Sequence, residues 1–321
     1  MATDCFGADG PHGGFPPATG RKESEGAMKE KDVAEKLARL VADTASALPK
    51  DVVAALRRAK RREKKGSSAE SVLGTILGNC ALAAKNGTPL CQDTGALSFF
   101  VSSSLRGTVT RRAVEKAVRL ATERGALRKN CIDSLTGESI DTNSGGGFPV
   151  IHYVDDGFKK RGAGKVTLVL KGGGSENMSR QYSLPDASLG AGRDMEGVRK
   201  CVLDAAYRAQ GYGCAPGILG VAIGGDRALG YETAKEQFLR PVGTAEGRSE
   251  NPVLARFEKK LLSEINSLGI GPMGLGGETT VLDVKVASLS RLPASFFVTV
   301  AYMCWALRRK TVFFGGKEGA R

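Results

Sequence analysis

The spacing of apolar residues divides the N-terminal third of the chain into helices. From Lys31 onward the apolar positions share one helical face; they are Val33, Leu37, Leu40 and Val41. Pro49 interrupts this pattern, and a second amphipathic stretch follows it. We predict a helical arm over about residues 31–65 and a third helix over about residues 69–86.

After residue 96 the pattern changes to short apolar runs separated by glycine-rich turns. Short apolar runs between turns are typical of buried strands, and they cover 97–101, 148–154, 165–170, 218–223, 281–286 and 296–302. Two longer amphipathic segments, about 194–210 and 251–268, predict helices. The predicted fold class is therefore α/β, as one mixed α/β domain with a helical N-terminal arm.

Residues 1–29 lack this periodicity and are rich in glycine, proline and polar residues. This composition is typical of a disordered, flexible tail. No linker divides the chain after residue 66, so we expect residues 30–321 to form one domain.

The net charge of +13 raises the question of a nucleic-acid partner. The densest basic run, residues 57–65, ends a predicted helix, where cations complement the helix dipole. It contains none of the aromatic residues that stack on bases. We expect no nucleic-acid partner, because an anionic small substrate or an acidic partner subunit explains the charge as well.

The sequence has no apolar run long enough to span a membrane. Its seven cysteines are an odd number that does not suggest a disulfide framework. We therefore expect a cytoplasmic protein without membrane contact, in which the thiols remain reduced.

Three of the cysteines, Cys91, Cys214 and Cys304, stand in unusual surroundings. Cys91 precedes Gln92 and Asp93 at the edge of a predicted strand, so a soft metal ligand adjoins an amide and a carboxylate. Their spacings are too long for a zinc ribbon or a ferredoxin run. They could converge on one iron–sulfur cluster with one iron left open as a Lewis acid. Spacing alone favours the alternative, three ordinary buried cysteines.

Three glycine clusters, at residues 143–147, 171–175 and 271–277, adjoin predicted strands. Each could form a backbone nest for an anion, although a tight turn is the simpler reading of any one of them. None has the spacing of a nucleotide-binding loop. The chain has only two histidines, His12 in the tail and His152 in a strand, so a Cys/His nucleophile pair is not expected.

Six motifs in order resemble the alpha subunit of class I iron–sulfur hydro-lyases, the fumarate hydratase and L(+)-tartrate dehydratase family. The resemblance covers about residue 31 to the C-terminus, and its motifs lie at 91–95, 126–128, 171–175, 213–216, 269–277 and 304–309.

This resemblance implies a [4Fe–4S] cluster held by Cys91, Cys214 and Cys304. It also implies a small dicarboxylate substrate and the reversible hydration of fumarate to (S)-malate. By motif position, Asp93 and Gln92 are implied as catalytic residues. Arg128 and Gly173 are implied to bind substrate together with Gln92, and Lys171 and Ser175 are weaker candidates. The resemblance gives no ligand role to Cys5, Cys80, Cys131 and Cys201.

The chain departs from the family at Leu292, where relatives commonly carry a histidine that meets substrate. A leucine can neither transfer a proton nor form a hydrogen bond through its side chain. The sequence also stops where fused members continue into a second domain, which implies a separate beta subunit and an alpha2–beta2 assembly. If so, the chain alone should hold a cluster but convert substrate slowly, because the beta subunit is missing.

Three alternatives remain open at this stage. The first is L(+)-tartrate dehydratase, with the same cluster and a dihydroxy acid as substrate. The second is a non-catalytic scaffold or regulatory relative, which the leucine at position 292 motivates. The third, a zinc protein using the same thiols, lacks a nearby histidine or fourth cysteine as ligand.

Overall fold

The computed structural model describes residues 28–315. The predicted flexible tail, residues 1–29, lies outside the described residues except for Met28 and Lys29, which precede the first helix. Within residues 28–315 no helix combines the length and apolar character needed to cross a bilayer.

Eight helices are described in residues 28–315. They are α1 (Glu30–Ser46), α2 (Lys50–Arg62), α3 (Ser68–Asn86), α4 (Arg111–Glu123), α5 (Gly173–Glu176), α6 (Met195–Ala209), α7 (Arg227–Glu236) and α8 (Pro252–Asn266). Side-chain caps define several of their starts: Ser67 accepts the N–H of Glu70 and Asp194 accepts that of Gly197. The helical arm predicted over 31–65 is confirmed as α1 and α2.

Ten strands are described in the same range. They are β1 (Ala96–Ser102), β2 (Cys131–Ile132), β3 (Ser139–Ile140), β4 (Val150–Val154), β5 (Gly164–Lys171), β6 (Arg180–Ser183), β7 (Gly217–Ile223), β8 (Val281–Ser288), β9 (Phe297–Met303) and β10 (Arg308–Phe314). Every predicted strand is present with bounds shifted by at most two residues. The sequence did not predict α4, α5, α7, β2, β3, β6 or β10.

The strands form two four-stranded sheets and a small hairpin of β2 and β3. The first sheet has the order β10-β5-β1-β4, and β1 runs parallel to β4 and antiparallel to β5. The second sheet has the order β6-β9-β7-β8, and β7 runs parallel to β8 and antiparallel to β9. Both sheets are thus mixed, as an α/β fold with both kinds of connection requires.

Alternation along the strands divides the interior into three cores. Phe99 and Leu168 face the first core, under α1 and α4, whereas Val221 and Val298 face the third core, under α6 and α8. The middle core takes its residues from both sheets together with α2 and α3; they include Val52, Leu56, Leu73, Phe100, Val169, Ile218, Ala222 and Met303. Because the two sheets share this core, the described chain is one α/β domain.

Candidate functional site

The segment that carries Cys91 is fixed between α3 and β1. Helix α3 ends at Asn86, and Gly87 follows it in the left-handed conformation that glycine favours. The side-chain amide of Asn79 donates to the carbonyl of Leu90 over 3.0 Å, and the N–H of Leu90 donates to Ala45 over 2.9 Å. These bonds set the position of Cys91, which is half-buried.

Gly95 lets the same segment lie directly on the end of β5. Its φ is +83°, and a Cβ there would lie 2.9 Å from the backbone of Lys171. Only glycine satisfies both conditions at this position. The close approach brings residues 91–95 against the glycine turn 172–174.

Cys214 and Cys304 occupy two loops at the same end of the second sheet. Cys214 precedes β7 and Cys304 follows β9, and these antiparallel strands pair Ile218 with Met303. The N–H of Trp305 donates to the carbonyl of Cys214 over 3.3 Å, which joins the two loops directly. Gly213 packs against the ring of Tyr302, so a side chain at this position has no room.

Burial and neighbouring charges raise the pKa values of two of the three thiols. Burial is the first cause that raises the pKa of Cys214, and the charges of Cys91 and Asp93 raise it further. Burial also raises the pKa of Cys304 to about 11, and the charge of Arg308 opposes this increase. Both thiols therefore lie in surroundings that disfavour the free thiolate.

The donor set at this site is soft and fits an iron–sulfur cluster. The three thiols are the ligands that such clusters prefer. Within residues 28–315 no three His, Cys, Asp or Glu side chains lie close enough to ligate a single ion.

Asp93 and Gly173 meet at the edge of this thiol group. The Oδ1 atom of Asp93 accepts the N–H of Gly95 over 3.0 Å. Its Oδ2 atom lies against Gly172, where a Cβ would approach it to 2.8 Å. Asp93 and Gly173 also line a cavity of about 150 Å³ together with Leu97, Asn143 and Phe148.

Arg128 reaches the same place from the loop after α4. Its Nη1 atom donates to the backbone carbonyl of Gln92 over 3.2 Å, and both side chains are exposed at this edge. The structure therefore places Arg128 against Gln92 and Asp93 against Gly173, with Cys91 in the same segment as Gln92 and Asp93. Their chemical roles remain predictions.

Asn143 begins the glycine cluster 143–147 that the sequence singled out, but the role of its side chain was not predicted. It is buried at φ +53°, and its Nδ2 atom donates to the carbonyl of Arg128 over 2.6 Å and to Thr122 Oγ1 over 3.1 Å. Its Oδ1 atom accepts the N–H groups of Asn130 and Cys131. All of its polar atoms hold the Arg128 loop in place. The available signal was an asparagine beside a glycine run, where the left-handed conformation is common.

Lys171 and Ser175, the weaker candidates, are internal. Lys171 is buried and forms an ion pair with Glu176 over 2.8 Å, and its Nζ atom donates to Ser175 over 3.3 Å. Burial lowers the pKa of Lys171. Its side chain lines a second cavity of about 220 Å³, which also contains His152. His152 stacks on Phe100 at 4.8 Å, as a structural histidine does.

The remaining cysteines differ in their surroundings. Cys80 and Cys201 are buried, and burial raises their pKa values to about 11 and about 12. Cys131 is half-buried and lines the cavity beside Asp93. Cys5 lies outside the described residues.

Leu292 lies at the opposite end of the second sheet from the thiols. It is in the loop between β8 and β9, next to the end of β7, because the N–H of Leu289 donates to Ile223. Cys304 follows the other end of β9, seven residues long, which is a distance of about 20 Å. Leu292 is 74% exposed and does not enter the site of its own chain.

Comparison with known proteins identifies the family of this chain. Residues 34–313 match the family described as Fumarate hydratase (Fumerase). A protein provisionally named fumarate hydratase class I from Geobacillus stearothermophilus is 44% identical over 290 residues, which are 89% of this chain and 55% of the relative. The chain thus spans about half the length of that relative.

Two further relatives match the chain over most of their own length. A protein provisionally named L(+)-tartrate dehydratase subunit alpha from Methanocaldococcus jannaschii is 36% identical over 88% of this chain and 96% of its own. The L(+)-tartrate dehydratase subunit alpha of Escherichia coli K12 is 30% identical over 87% of this chain and 89% of its own. The chain therefore belongs to the fumarase family that includes class I fumarate hydratases and the alpha subunits of L(+)-tartrate dehydratases.

Proposed function

We propose that this chain is the alpha subunit of a hydro-lyase that holds a [4Fe–4S] cluster on Cys91, Cys214 and Cys304. The proposed reaction is the reversible hydration of fumarate to (S)-malate. The observation that carries the proposal is the convergence of the three thiols beside Asp93 and Arg128. Residues 30–321 would form the domain that carries this half of the site.

The cluster supplies, when bound, a Lewis acid with an open coordination position. The thiols of Cys91, Cys214 and Cys304 would hold it. Because such a cluster is ligated by thiolates, its binding would release the thiol protons.

Arg128 is suited to clamp a carboxylate of the substrate. Its guanidinium is exposed toward the site and uses one nitrogen on the Gln92 carbonyl. The remaining N–H groups form a planar fork that matches a carboxylate. The exposed amide of Gln92 and the backbone of Gly173 adjoin the same place, so both can orient the bound acid.

Asp93 is suited to hold and release a proton. Its Oδ1 atom is occupied by the N–H of Gly95, which fixes the carboxylate plane. Its Oδ2 atom faces Gly172 and Gly173 at the edge of the cavity. A carboxylate held in one orientation with one oxygen available is the arrangement that general acid–base catalysis requires.

We also propose that a beta subunit covers this site in an alpha2–beta2 assembly. Cys214, Gln92 and Arg128 are exposed on one open edge, whereas hydration chemistry needs water to be admitted in a controlled way. The two relatives that match the chain over most of their length are named as alpha subunits. Six free cysteines among residues 28–315 support a reducing, cytoplasmic location.

The proposal is tested by turnover of the alpha–beta complex after anaerobic loading with iron and sulfide. We expect fumarate and (S)-malate to interconvert. A complex that contains four irons per alpha chain but does not hydrate fumarate, or any other unsaturated dicarboxylate, would overturn the proposed activity.

Asp93→Asn tests the role of the proposed proton carrier. The change should lower kcat by about 10²–10⁴-fold and leave the iron content unchanged. The matched control is Asp141→Asn, because Asp141 is an exposed carboxylate paired only with Lys129. An Asp93→Asn enzyme with wild-type kcat would remove Asp93 from the mechanism.

L(+)-tartrate dehydration is the second candidate, because two of the relatives carry that name. Both reactions need the same clamp and proton carrier, so the ratio of kcat/KM for malate and tartrate decides between them. A non-catalytic scaffold was motivated by Leu292, which lies far from the thiols of its own chain. Salt-sensitive binding of nucleic acid without turnover would favour that alternative.

A further inference from the structure

Arg308 is a buried cation that has no protein partner for two of its nitrogens. Its side chain is 1% exposed, and both Nε and Nη1 are buried without a hydrogen-bond partner among residues 28–315. Burying a guanidinium in this state is strongly unfavourable unless something compensates its charge. A native sequence that keeps such a residue therefore points to a missing anionic partner.

The neighbouring Arg309, in the same strand, has hydrogen-bond partners for its guanidinium. Its Nη1 atom donates to the carbonyls of Phe238 and Arg240, and its Nη2 atom pairs with Asp51 over 2.8 Å. Paired residues of a sheet lie on the same face. Arg309 therefore lies on the face of Val169, toward the middle core, whereas Arg308 lies on the face of Leu170.

Arg308 stands at the end of the first sheet that carries the candidate site. It pairs with Leu170, and Leu170 pairs with Leu97, one residue from the ends of β5 and β1. The next residues along these strands lead to Gly172 and Gly95, which contact Asp93. Thr94, in the same motif, also has a buried hydroxyl without a partner among the described residues.

Arg308 is also near one of the thiols along the chain. It is the first residue of β10 and follows Cys304 by four positions, in the short segment that connects β9 with β10. Of the anionic groups that the described chain offers, none pairs with Arg308. A cubane held by three thiolates would carry a net negative charge at this place and would satisfy that requirement.

We propose that Arg308 is a positioning residue for the cluster: its buried guanidinium faces the anionic cluster beside Cys304 and stabilises the reduced charge state. This inference rests on the proposed function, because it needs the cluster to bind. It gives Arg308 a role in retention and redox behaviour rather than in contact with the substrate. A cation near the cluster favours the added electron, so removing the cation should lower the reduction potential.

The test compares Arg308→Met and Arg308→Lys with wild type in the full 321-residue chain, loaded anaerobically with iron and sulfide. The readouts are the midpoint potential from a titration followed by EPR and the rate of iron loss to a chelator. We expect Arg308→Met to shift the one-electron equilibrium about tenfold toward the oxidised cluster, which is about 59 mV. Iron loss should accelerate, and Arg308→Lys should lie between the two.

Arg309→Met is the matched control, because it removes the same charge one residue away on the opposite face of β10. It should lower the melting temperature of apo and loaded protein, since it breaks three bonds, and leave the potential at the wild-type value. Arg308→Met should behave in the opposite way: the apo protein melts no lower than wild type, because an unpaired buried charge is gone.

Wild-type potential and iron retention in Arg308→Met would overturn this inference while leaving the proposed function intact. If Arg308→Met does not fold, the midpoint potential and the rate of iron loss are measured in Arg308→Lys instead. Wild-type values of both in Arg308→Lys would also overturn this inference. A wild-type chain that binds no cluster would instead sink the proposed function, and this inference with it.

Discussion

At the scale of single residues, the site depends on backbone positions that allow close approach. Gly95 contacts the backbone of Lys171, Gly172 contacts the carboxylate of Asp93, and Gly213 contacts Tyr302. The motif reading selected 91–95 and 171–175 without showing what the glycines do. Their function is to bring two loops within contact distance, which sequence spacing cannot reveal.

Gly172→Ala tests this close approach. The new Cβ would lie 2.8 Å from Asp93 Oδ2 and displace the proposed proton carrier. A displacement of this size should lower kcat by about 10²-fold with unchanged iron content. Gly174→Ala is the control, because a Cβ there meets nothing within 4 Å. Equal kcat values for the two variants in a steady-state assay would contradict the assignment.

The motif at 304–309 contains two arginines whose burial the sequence did not predict. Positions 308–310 are a basic run after an apolar stretch. In the structure they begin β10, and Arg308 is fully buried. The burial depends on the pairing of β10 with β5, a contact between residues more than 130 positions apart that local patterns do not encode.

At the scale of elements, the predicted helices and strands were confirmed, but several others were missed. Helix α1 presents large apolar residues on one face and was predicted. Helix α4 also has a clear apolar face, formed by Val114 and Val118 with small residues such as Ala117, and the prediction overlooked it. The site was affected by this omission, because the loop after α4 carries Arg128.

Asn143→Ala tests how the Arg128 loop is held. Removing the amide leaves the Arg128 carbonyl and two N–H groups without their partner, which should cost about 2–3 kcal/mol of unfolding free energy. We expect KM to rise about tenfold, or ~1.4 kcal/mol, with a smaller change in kcat, because substrate binding needs a fixed Arg128.

The control for this prediction is Asn266→Ala. Asn266 also accepts two backbone N–H groups, from Thr280 and Val281, but holds a different loop. It should lose stability in urea denaturation and keep the wild-type KM. An Asn143→Ala enzyme that is destabilised with the same KM would limit Asn143 to a structural role.

The ion pair of Glu35 and Arg124 ties α1 to the end of α4 and predicts a pH dependence. The hydrogen bonds from Arg124, at 2.6 and 2.8 Å, lower the pKa of Glu35 in the folded state. A depressed carboxyl pKa stabilises the fold above the unfolded value and loses that effect as pH falls through the folded value.

Glu35→Gln should therefore destabilise the protein slightly near neutral pH and progressively less as the pH falls below the ordinary glutamate range. Urea denaturation over that pH range measures the difference. In an Arg124→Gln background the difference should be much smaller, because only the weaker effects of Arg39 and Lys31 on the pKa of Glu35 remain. A Glu35→Gln effect that stays constant with pH would show that the pair contributes nothing through its charge.

At the scale of the whole molecule, the site lies where two sheets meet. The first sheet and its glycine turn provide Asp93 and Gly173, and the loops of the second sheet provide Cys214 and Cys304. The middle core, shared by both sheets, sets their relative position. The motif resemblance nominated all of these residues, but their convergence follows from packing over the whole chain.

The position of Leu292 depends on the fold of the whole molecule. The motif resemblance marked this residue as a departure from the family that put activity in doubt. The structure puts it at the far end of the second sheet from the thiols, so its effect on the site of its own chain is indirect. This separation follows from the order and direction of the strands, which the hydrophobic pattern does not specify.

The measurement that tests the central claim most directly is the iron and sulfide content of the anaerobically loaded chain. It compares wild type with Cys91→Ser, Cys214→Ser and Cys304→Ser, and uses Cys80→Ser and Cys201→Ser as buried controls. We predict four irons in wild type and in both controls, and loss of the cluster in each of the three ligand variants. Wild-type iron content in the three variants, or no cluster in wild type, would contradict it.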